Sequence, residues 1–337
     1  MIGHRILVVA SLVVLTACGQ PEAPAERGQT AAGFPITVQN CGRDVVIDTP
    51  PQRAVSLNQG STEILLSLGL ADRMVGSATW TDPVRENLAE DNAKVPQLAV
   101  NKPSLETVLD AEPDFVSASF AGTLGPGGVA DRDQFASLGV PSYLAPSDCV
   151  GKVSVNADGA RTEPFTMDAI YGEIRDLARI FDVPERGEEL IAGLEQRMRD
   201  SRLRADADLA YWFSDIRAPY FGGCCGSPGV ITDTVGARNV FLDTTEEWPQ
   251  VSWEVIADRD PDVLVLADLS RRTIDGDALA AKIAFLESNP VTSRLTAVRG
   301  KRYIVVNGAD LNPSIRTVDG TEKVADGLRR LGFAPGR

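Results

Sequence analysis

The sequence predicts an α/β protein of two lobes joined by one long helix, and three observations carry that prediction. Short apolar runs alternate with helical runs from residue 53 to residue 144. Two helical runs then follow one another with no strand between them, at 167–181 and 185–204. Alternation resumes at residue 209 and continues to a closing helix at 317–331. Short apolar strands interleaved with helices imply a parallel sheet covered by helices. The break in the alternation places the connector, so the first lobe is expected over 34–183, the joining helix over 184–206 and the second lobe over 207–334.

Each element has a local reason. Residues 36–38 and 44–47 flank Asn40-Cys41-Gly42 and read as an N-terminal hairpin. Residues 53–57 are a short strand. Ser61 then caps a helix through Leu68, with Glu63 in the first turn and Gly69 beyond the end. Residues 74–78 form the next strand. Ser104-Leu105-Glu106 opens a helix that ends before Pro113, and 114–118 follow as a strand. A helix over 132–138 precedes a strand over 140–144. In the connector Leu190, Ile191, Leu194 and Met198 recur about 3.6 residues apart on an otherwise charged run, the mark of one buried helical face. Strands are expected in the second lobe over 209–213, 230–235, 262–266 and 302–306. One helical connection limits hinge motion more than two or three flexible strands do.

The first 33 residues read differently. Arg5 precedes an apolar run over 6–15 broken only by Ser11, about ten residues and too short to span ~30 Å of hydrocarbon. Leu15-Thr16-Ala17-Cys18 then reads as a lipobox, so residues 1–17 are expected to be a signal peptide and Cys18 the lipidated new N-terminus. An ordinary cleavage site abutting a cysteine is the alternative. The stretch 19–33 is rich in Pro, Ala, Glu, Gln and Gly and has no periodic apolar face, which suits a flexible tether. No later stretch is apolar for long enough to cross a membrane, so membrane contact is expected through the lipid anchor only.

Composition narrows the chemistry. The net charge of −14 argues against nucleic acid as a partner and against adsorption on anionic lipid. The single histidine, His4, falls in the signal segment. A chain without histidine has no His-based metal site, no Ser-His-Asp or Cys-His catalysis and no His-ligated haem. No nucleophile–base motif and no Cys-x-x-Cys is present, and no enzyme activity, resident metal or cofactor is expected. Adjacent cysteines that cycle in a redox enzyme are the rival reading. Four cysteines remain beside Cys18, and an even number in an exported chain suggests disulfides. Of the three pairings, Cys41–Cys149 is favoured because both fall in the first lobe. That leaves Cys224–Cys225 in a Gly-rich loop able to adopt an unusual backbone. Two free thiols or two long-range bridges are the alternatives.

Several blocks in order resemble substrate-binding lipoproteins of ABC importers of the ferric-siderophore and cobalamin type. They are Pro51-Gln52-Arg53-Ala54-Val55-Ser56-Leu57, Thr62-Glu63-Ile64-Leu65, Leu105-Glu106, Glu112-Pro113-Asp114, Leu138-Gly139-Val140-Pro141, Gly236-Ala237-Arg238-Asn239, Trp248-Pro249-Gln250-Val251-Ser252 and Asp260-Pro261-Asp262. Asn40-Cys41-Gly42-Arg43 and Gly223-Cys224-Cys225-Gly226 resemble an actinobacterial, iron-dicitrate-like branch. The resemblance implies a class III periplasmic-binding-protein fold, with two Rossmann-like lobes, ligand in the cleft and little closure on binding. It also implies an ABC permease and its ATPase as partners, and docking through one acidic residue per lobe, Glu106 and Glu254. Each of these is equally a first-turn acid offsetting a helix dipole.

In α/β lobes ligands sit beyond the carboxyl ends of the strands. That rule selects Asn58, Gln59, Trp80, Asn101, Lys102, Phe120, Tyr220, Trp248, Arg271, Arg272, Asn312 and Arg316. The aromatics would supply flat walls, and the cations would draw carboxylates or catecholates. Arg271 and Arg272 are equally a solvated basic step balancing Asp268 and Asp275. The expected ligand is a ferric siderophore, anionic if the cations face it. Cobalamin, haem, or a non-transport role as envelope sensor or scaffold are the alternatives. A monomer is expected.

Overall fold

The computed structural model describes residues 1, 33–153, 159–269 and 276–335. The chain enters through a hairpin in which β1 (Ile36–Asn40) and β2 (Arg43–Ile47) pair antiparallel. Cys41 and Gly42 both take positive φ, 53° and 75°, as a two-residue type I′ turn requires.

The first lobe follows as β3 (Ala54–Ser56), α1 (Gln59–Ser67), β4 (Met74–Ala78), α2 (Ala89–Asn92), β5 (Gln97–Ala99), α3 (Leu105–Leu109), β6 (Phe115–Ala118), α4 (Arg132–Ser137) and β7 (Ser142–Leu144). Its five strands are parallel in the order β5-β4-β3-β6-β7. Apolar cores lie on both faces of this sheet, so every residue of β3, β6 and β7 is buried. The hairpin caps the edge strand β7. The Asn40 carboxamide donates to Leu144 O at 2.8 Å and accepts from Leu144 N at 2.9 Å. Buried Arg132 donates to Ser142 O at 2.7 Å and to Asn40 O at 3.1 Å. Edge groups that would otherwise template another chain are thereby occupied.

Helices α5 (Met167–Ile180) and α6 (Pro184–Asp200) lead out of this lobe. The second lobe contains β8 (Asp208–Ser214), β9 (Tyr220–Phe221), α7 (Ser227–Val235), β10 (Arg238–Asn239), α8 (Trp253–Arg259), β11 (Val263–Asp268), α9 (Leu279–Ser288), α10 (Thr296–Arg299), β12 (Tyr303–Asn307) and α11 (Arg316–Arg330). Strands β10-β8-β11-β12 are parallel, and β9 lies antiparallel on β8.

Two local expectations are corrected. Residues 230–235 are not a strand but most of α7. Its apolar, β-branched run fits a buried helix and a buried strand equally. Pro228 in the first turn and left-handed Gly236 at the end decide for helix. Thr232 and Thr234 return their hydroxyls to the carbonyls of Pro228 and Val230, each at 2.7 Å. Helix α1 begins at Gln59 with Asn58 in the N-cap position, two residues before Ser61. The Asn58 side chain does not cap it, because its Oδ1 accepts instead from Ser119 N at 2.9 Å and Thr123 Oγ1 at 3.2 Å.

The lobes meet in a buried ionic joint. Glu63 of α1 is 0% and Arg316 of α11 is 4% exposed. Arg316 Nε donates to Glu63 Oε2 at 2.7 Å and its Nη2 to Glu63 Oε1 and Pro83 O. Gln59 Nε2 and Arg85 N complete the Glu63 carboxylate at 3.1 and 3.2 Å. Beside it, Asp82 Oδ2 accepts from Ala309 N across the lobes at 2.7 Å. Arg85 and Arg197 both pair with Asp319, which ties α6 to α11. Ile315 and Val318 extend the first-lobe core into the second lobe. Gly60 allows the close approach, since a Cβ there would lie 2.8 Å from Ser119 Oγ and 3.5 Å from Ser314 Cβ.

Within the first lobe, burial and the neighbouring Asp176 push the Glu173 carboxyl up to about 8. Asp176 itself accepts from Tyr143 OH at 2.9 Å.

Two predictions follow from this packing. Arg316→Met strands Glu63 without its partner and lowers the unfolding free energy by about 3–5 kcal/mol in urea titrations, whereas Glu63→Leu with Arg316→Met recovers most of that loss. Equal losses in the single and double variants would show that the pair itself is not what matters. Glu173 holds its proton to about pH 8 when folded and releases it near the ordinary 4.5 when unfolded. Between those values the folded state binds the extra proton, so this group makes stability fall as pH rises through the window. Glu173→Gln removes that slope, and its advantage over the wild type grows from about pH 5 to about pH 8 in melting curves. A constant difference across that range would mean that Glu173 is ionised in the fold.

Candidate functional site

The strand order of each sheet reverses once. In the first sheet the chain moves outward from β3 through β4 to β5, then returns beside β3 as β6 and continues to β7. In the second it moves from β8 to β10 and returns as β11 and β12. Crevices open at such reversals, beyond the carboxyl ends of the strands. A cleft of about 310 Å³ lies there, lined from the first lobe by Ser119, Phe120, Gly122, Ser147, Asp148 and Lys152. The second lobe contributes Phe213, Glu247, Trp248, Asn312 and Pro313. A depression of about 50 Å³ shares Ser119, Phe120, Asn312 and Pro313 and reaches Gln59, Glu63 and Arg316. A groove of about 470 Å³ lies under the hairpin, bounded by Pro51, Asp114 and Pro141. These residues precede β3, β6 and β7, so that groove is at the opposite end of the sheet.

The walls are aromatic. Phe120 follows β6 and is 40% exposed. Phe213, near the end of β8, packs on Trp248 with ring centroids 4.7 Å apart. The charges lie on one side of the cleft, close-packed and mutually paired. Lys152 Nζ contacts Asp148 Oδ1 and lies 3.0 Å from Glu247 Oε2. Arg161 Nε stands behind, 2.6 Å from Glu247 Oε1, and its Nη groups donate to the carbonyls of Ser147 and Val150. Asp148 Oδ2 also accepts from Ala121 N at 2.6 Å. Lys152 and Arg161 pair as an isolated antiparallel bridge. Arg161 N donates to Thr245 O at 2.9 Å and Phe165 N to Cys225 O at 2.9 Å. The segment after β7 is therefore a strap that bonds to the second lobe beside the cleft.

Disulfides brace both ends of this strap. Cys41 is bonded to Cys149, with Cα atoms 5.8 Å apart, and Cys224 to Cys225. The second bridge sits in the loop that receives Phe165. Gly223 N of that loop donates to Glu247 O at 2.8 Å. Gly223 is required by the contact, since a Cβ would fall 2.0 Å from Glu246 O.

Of the residues selected by sequence, Phe120, Trp248 and Asn312 line the cleft. Gln59 and Arg316 reach only the smaller depression, with their polar atoms already engaged. Gln59 Oε1 accepts from Asp82 N at 3.0 Å, and the Arg316 guanidinium is given to Glu63. Arg316 is thus a joint residue rather than a free anion receptor. Asn58 is buried beneath the cleft, pinning the 119–123 loop. Trp80, Asn101, Lys102 and Tyr220 line neither cavity. Lys102 is exposed and donates to Gly127 O, and Tyr220 pairs with Ser214 in the sheet. Arg271, Arg272 and Cys18 lie outside the described residues. Sequence reasoning missed Asp148, Lys152, Phe213 and Glu247. The strand-end rule would have found Phe213, and Glu247 adjoins Trp248, but nothing local distinguishes Asp148 and Lys152 from surface charges.

Glu106 and Glu254 occupy matching places. Each is exposed and second in a short helix. Ser104 and Ser252 cap those helices, accepting from Thr107 N at 3.0 Å and Val255 N at 3.4 Å. Its own backbone N–H and the Ser252 hydroxyl hold the Glu254 carboxyl below the usual range. Among the described residues no helix is long and apolar enough to cross a membrane.

Known proteins resemble this chain in sequence and in fold. An uncharacterised ABC transporter substrate-binding lipoprotein of Bacillus subtilis is 22% identical, covering 95% of this chain and 95% of its own length. A cobalamin-binding protein of Halobacterium salinarum is 25% identical, over 95% of this chain and 83% of its own. A solved ABC-type Fe3+-hydroxamate transport protein of Saccharomonospora viridis superposes with a TM-score of 0.70 at 27% identity, over 88% of this chain and 99% of that one. The model of the periplasmic binding protein family matches residues 55–308, and the chain belongs to that family.

Proposed function

We propose that this protein captures a ferric siderophore in the interlobe cleft and delivers it to the permease of an ABC importer powered by its ATPase. The observation that carries the reading is the cleft itself. It draws on both lobes and is walled by Phe120, Phe213 and Trp248, with charges compensated internally. Such a site takes a bulky, preformed complex by shape and stacking rather than by metal ligation. The chain's one histidine, His4, lies in the signal segment; iron held in its own chelate asks for no histidine, and no resident cofactor is needed. The solved relative named for Fe3+-hydroxamate transport supports an iron chelate. The relative named as cobalamin-binding supports cobalamin as the second reading.

On this reading Cys18 carries the lipid anchor and 19–33 the tether, keeping a monomeric receptor at high effective concentration beside its permease. Glu106 and Glu254 are the docking carboxylates, one on each lobe. Presented outward from capped helix starts, they fix orientation by complementary charge.

Two measurements test the reading. Titration with ferric siderophores, cobalamin and haem, followed by tryptophan fluorescence, should give quenching and a Kd below about 1 μM for a ferric siderophore. Trp248→Phe should remove most of the signal. Tight cobalamin binding without a siderophore response would replace iron with cobalamin. Glu106→Lys with Glu254→Lys should abolish uptake by cells and leave ligand affinity within about twofold, since rim charges act on encounter rather than on the cleft. Uptake that persists would remove the docking assignment.

A further inference from the structure

The polar side chains that line the cleft divide into those already engaged and those still open. Its charges are engaged. Lys152 pairs with Asp148 and Glu247, and Arg161 behind them pairs with Glu247, so two cations meet two carboxylates. The remaining Asp148 oxygen takes the Ala121 amide at 2.6 Å. This side of the cleft therefore offers a ligand neither a free cation nor a free anion, and discrimination falls to other groups.

Three neutral groups remain. Among the described residues the Asn312 carboxamide, the Ser147 hydroxyl and Trp248 Nε1 have no hydrogen-bond partner in the protein, and all three residues line the cleft. Ser147 is only 3% exposed. The side-chain polar atoms sealed in without a partner are Asn92 Oδ1, Ser117 Oγ, Tyr303 OH and Asp310 Oδ1, among the described residues. Ser147 Oγ is not one of them, so the small open part of Ser147 includes its hydroxyl.

Ser147 and Asn312 are held by their main chains. Ser147 lies in the turn Pro146–Asp148 beyond β7, and its carbonyl accepts from Arg161 Nη2. Asn312 N donates to Ala309 O at 3.3 Å, and its carbonyl accepts from Thr317 Oγ1 at 3.3 Å. One residue thus comes from each lobe, with its backbone fixed and little freedom left to lose on binding. A carboxamide both donates and accepts, as a hydroxyl does, whereas an indole only donates. The two residues therefore complement an amide edge. A hydrocarbon edge would displace their water and leave them unpaired.

We propose that Ser147 and Asn312 set the specificity of the cleft, selecting chelates whose outer edge carries neutral amide groups over chelates whose outer edge is hydrocarbon. The inference rests on the ferric-chelate reading above and adds to it the chemistry of the ligand's periphery. The protein then reads the organic frame of the chelate and not its metal.

The test compares two neutral ferric trihydroxamates on the intact chain by calorimetry, one built on a cyclic peptide and one on a hydrocarbon tripod. The wild type should bind the peptide chelate at least about tenfold more tightly. Asn312→Leu, similar in volume but without donor or acceptor, should weaken the peptide chelate about tenfold and the hydrocarbon chelate less than about twofold. Ser147→Ala should act in the same sense, by about threefold. Both variants should keep the wild-type melting temperature. A merely structural role would weaken both chelates alike, and that result overturns the proposal, as does a wild type without preference. A folded wild type that binds neither chelate but binds cobalamin overturns the ferric-chelate reading. Cobalamin carries carboxamides on its periphery, so Asn312→Leu must then weaken cobalamin about tenfold; unchanged affinity overturns the assignment of these residues as well.

Discussion

Glu63 and Arg316 are both buried, and neither is tolerable there alone. Removing a carboxylate and a guanidinium from water is repaid only when the pair is well aligned and the remaining lone pairs and protons are satisfied. Here they are: Arg316 reaches both carboxylate oxygens and Pro83 O, while Gln59 and Arg85 complete Glu63. Because the partners come from α1 and α11, the condition for burying either is that the two lobes stay docked. Asp82 on Ala309 N, Asp319 with Arg85 and Arg197, and the apolar contacts of Ile315 and Val318 act in the same direction. A cleft lined from both lobes keeps its shape only if this joint holds.

The joint also explains which parts of the protein were legible in the sequence. The hairpin was legible because a two-residue turn with both residues at positive φ favours Asn-, Gly- and Asp-like neighbours, and Cys41-Gly42 supplies one glycine. Strands β3, β4, β6, β7, β8, β11 and β12 were legible because sheets covered on both faces need unbroken apolar runs, whereas β5, β9 and β10, two or three residues each, carry no such run and were missed. Residues 230–235 meet the same description while forming a helix, so local pattern had no means of separating the two cases. Arg316 was misread for a different reason. An arginine after a strand end looks like an anion receptor until its partner is known, and Glu63 lies 253 residues away. The charged side of the cleft was hidden in the same way, since Arg161 and Glu247 are 86 residues apart.

The strap after β7 adds a second link between lobes that a single connecting helix would not provide. It carries Asp148, then the Cys41–Cys149 bridge, then Lys152, and bonds to the loop carrying Cys224–Cys225. One bridge thus lies within the charged group and the other in the loop that receives the strap. In an exported chain, where disulfides persist, covalent bracing makes sense beside a cluster whose members are stable only when correctly placed. Phe120, Phe213 and Trp248 need no such precision, since stacking walls tolerate small shifts that paired buried charges do not.

Rigidity raises a question about release. If the buried ion pair and the braced strap hold the lobes in place, there is little closure motion to reverse, and separating the walls is the route by which ligand is let go. On the docking reading, Glu106 and Glu254 are suited to transmit that force, being on different lobes and at the starts of capped helices rather than on loops. Helix α3 precedes β6, whose end bears Phe120, and α8 follows the loop that carries Glu247 and Trp248. A small outward pull on each helix would therefore act on opposite walls of the cleft. The interactions opposing it are the ones that link the lobes, the Lys152 ion pairs with Asp148 and Glu247 and the Glu63–Arg316 joint. Holding and release are then set by the same charges, and a permease gains access by loosening contacts that water alone cannot replace at equal free energy.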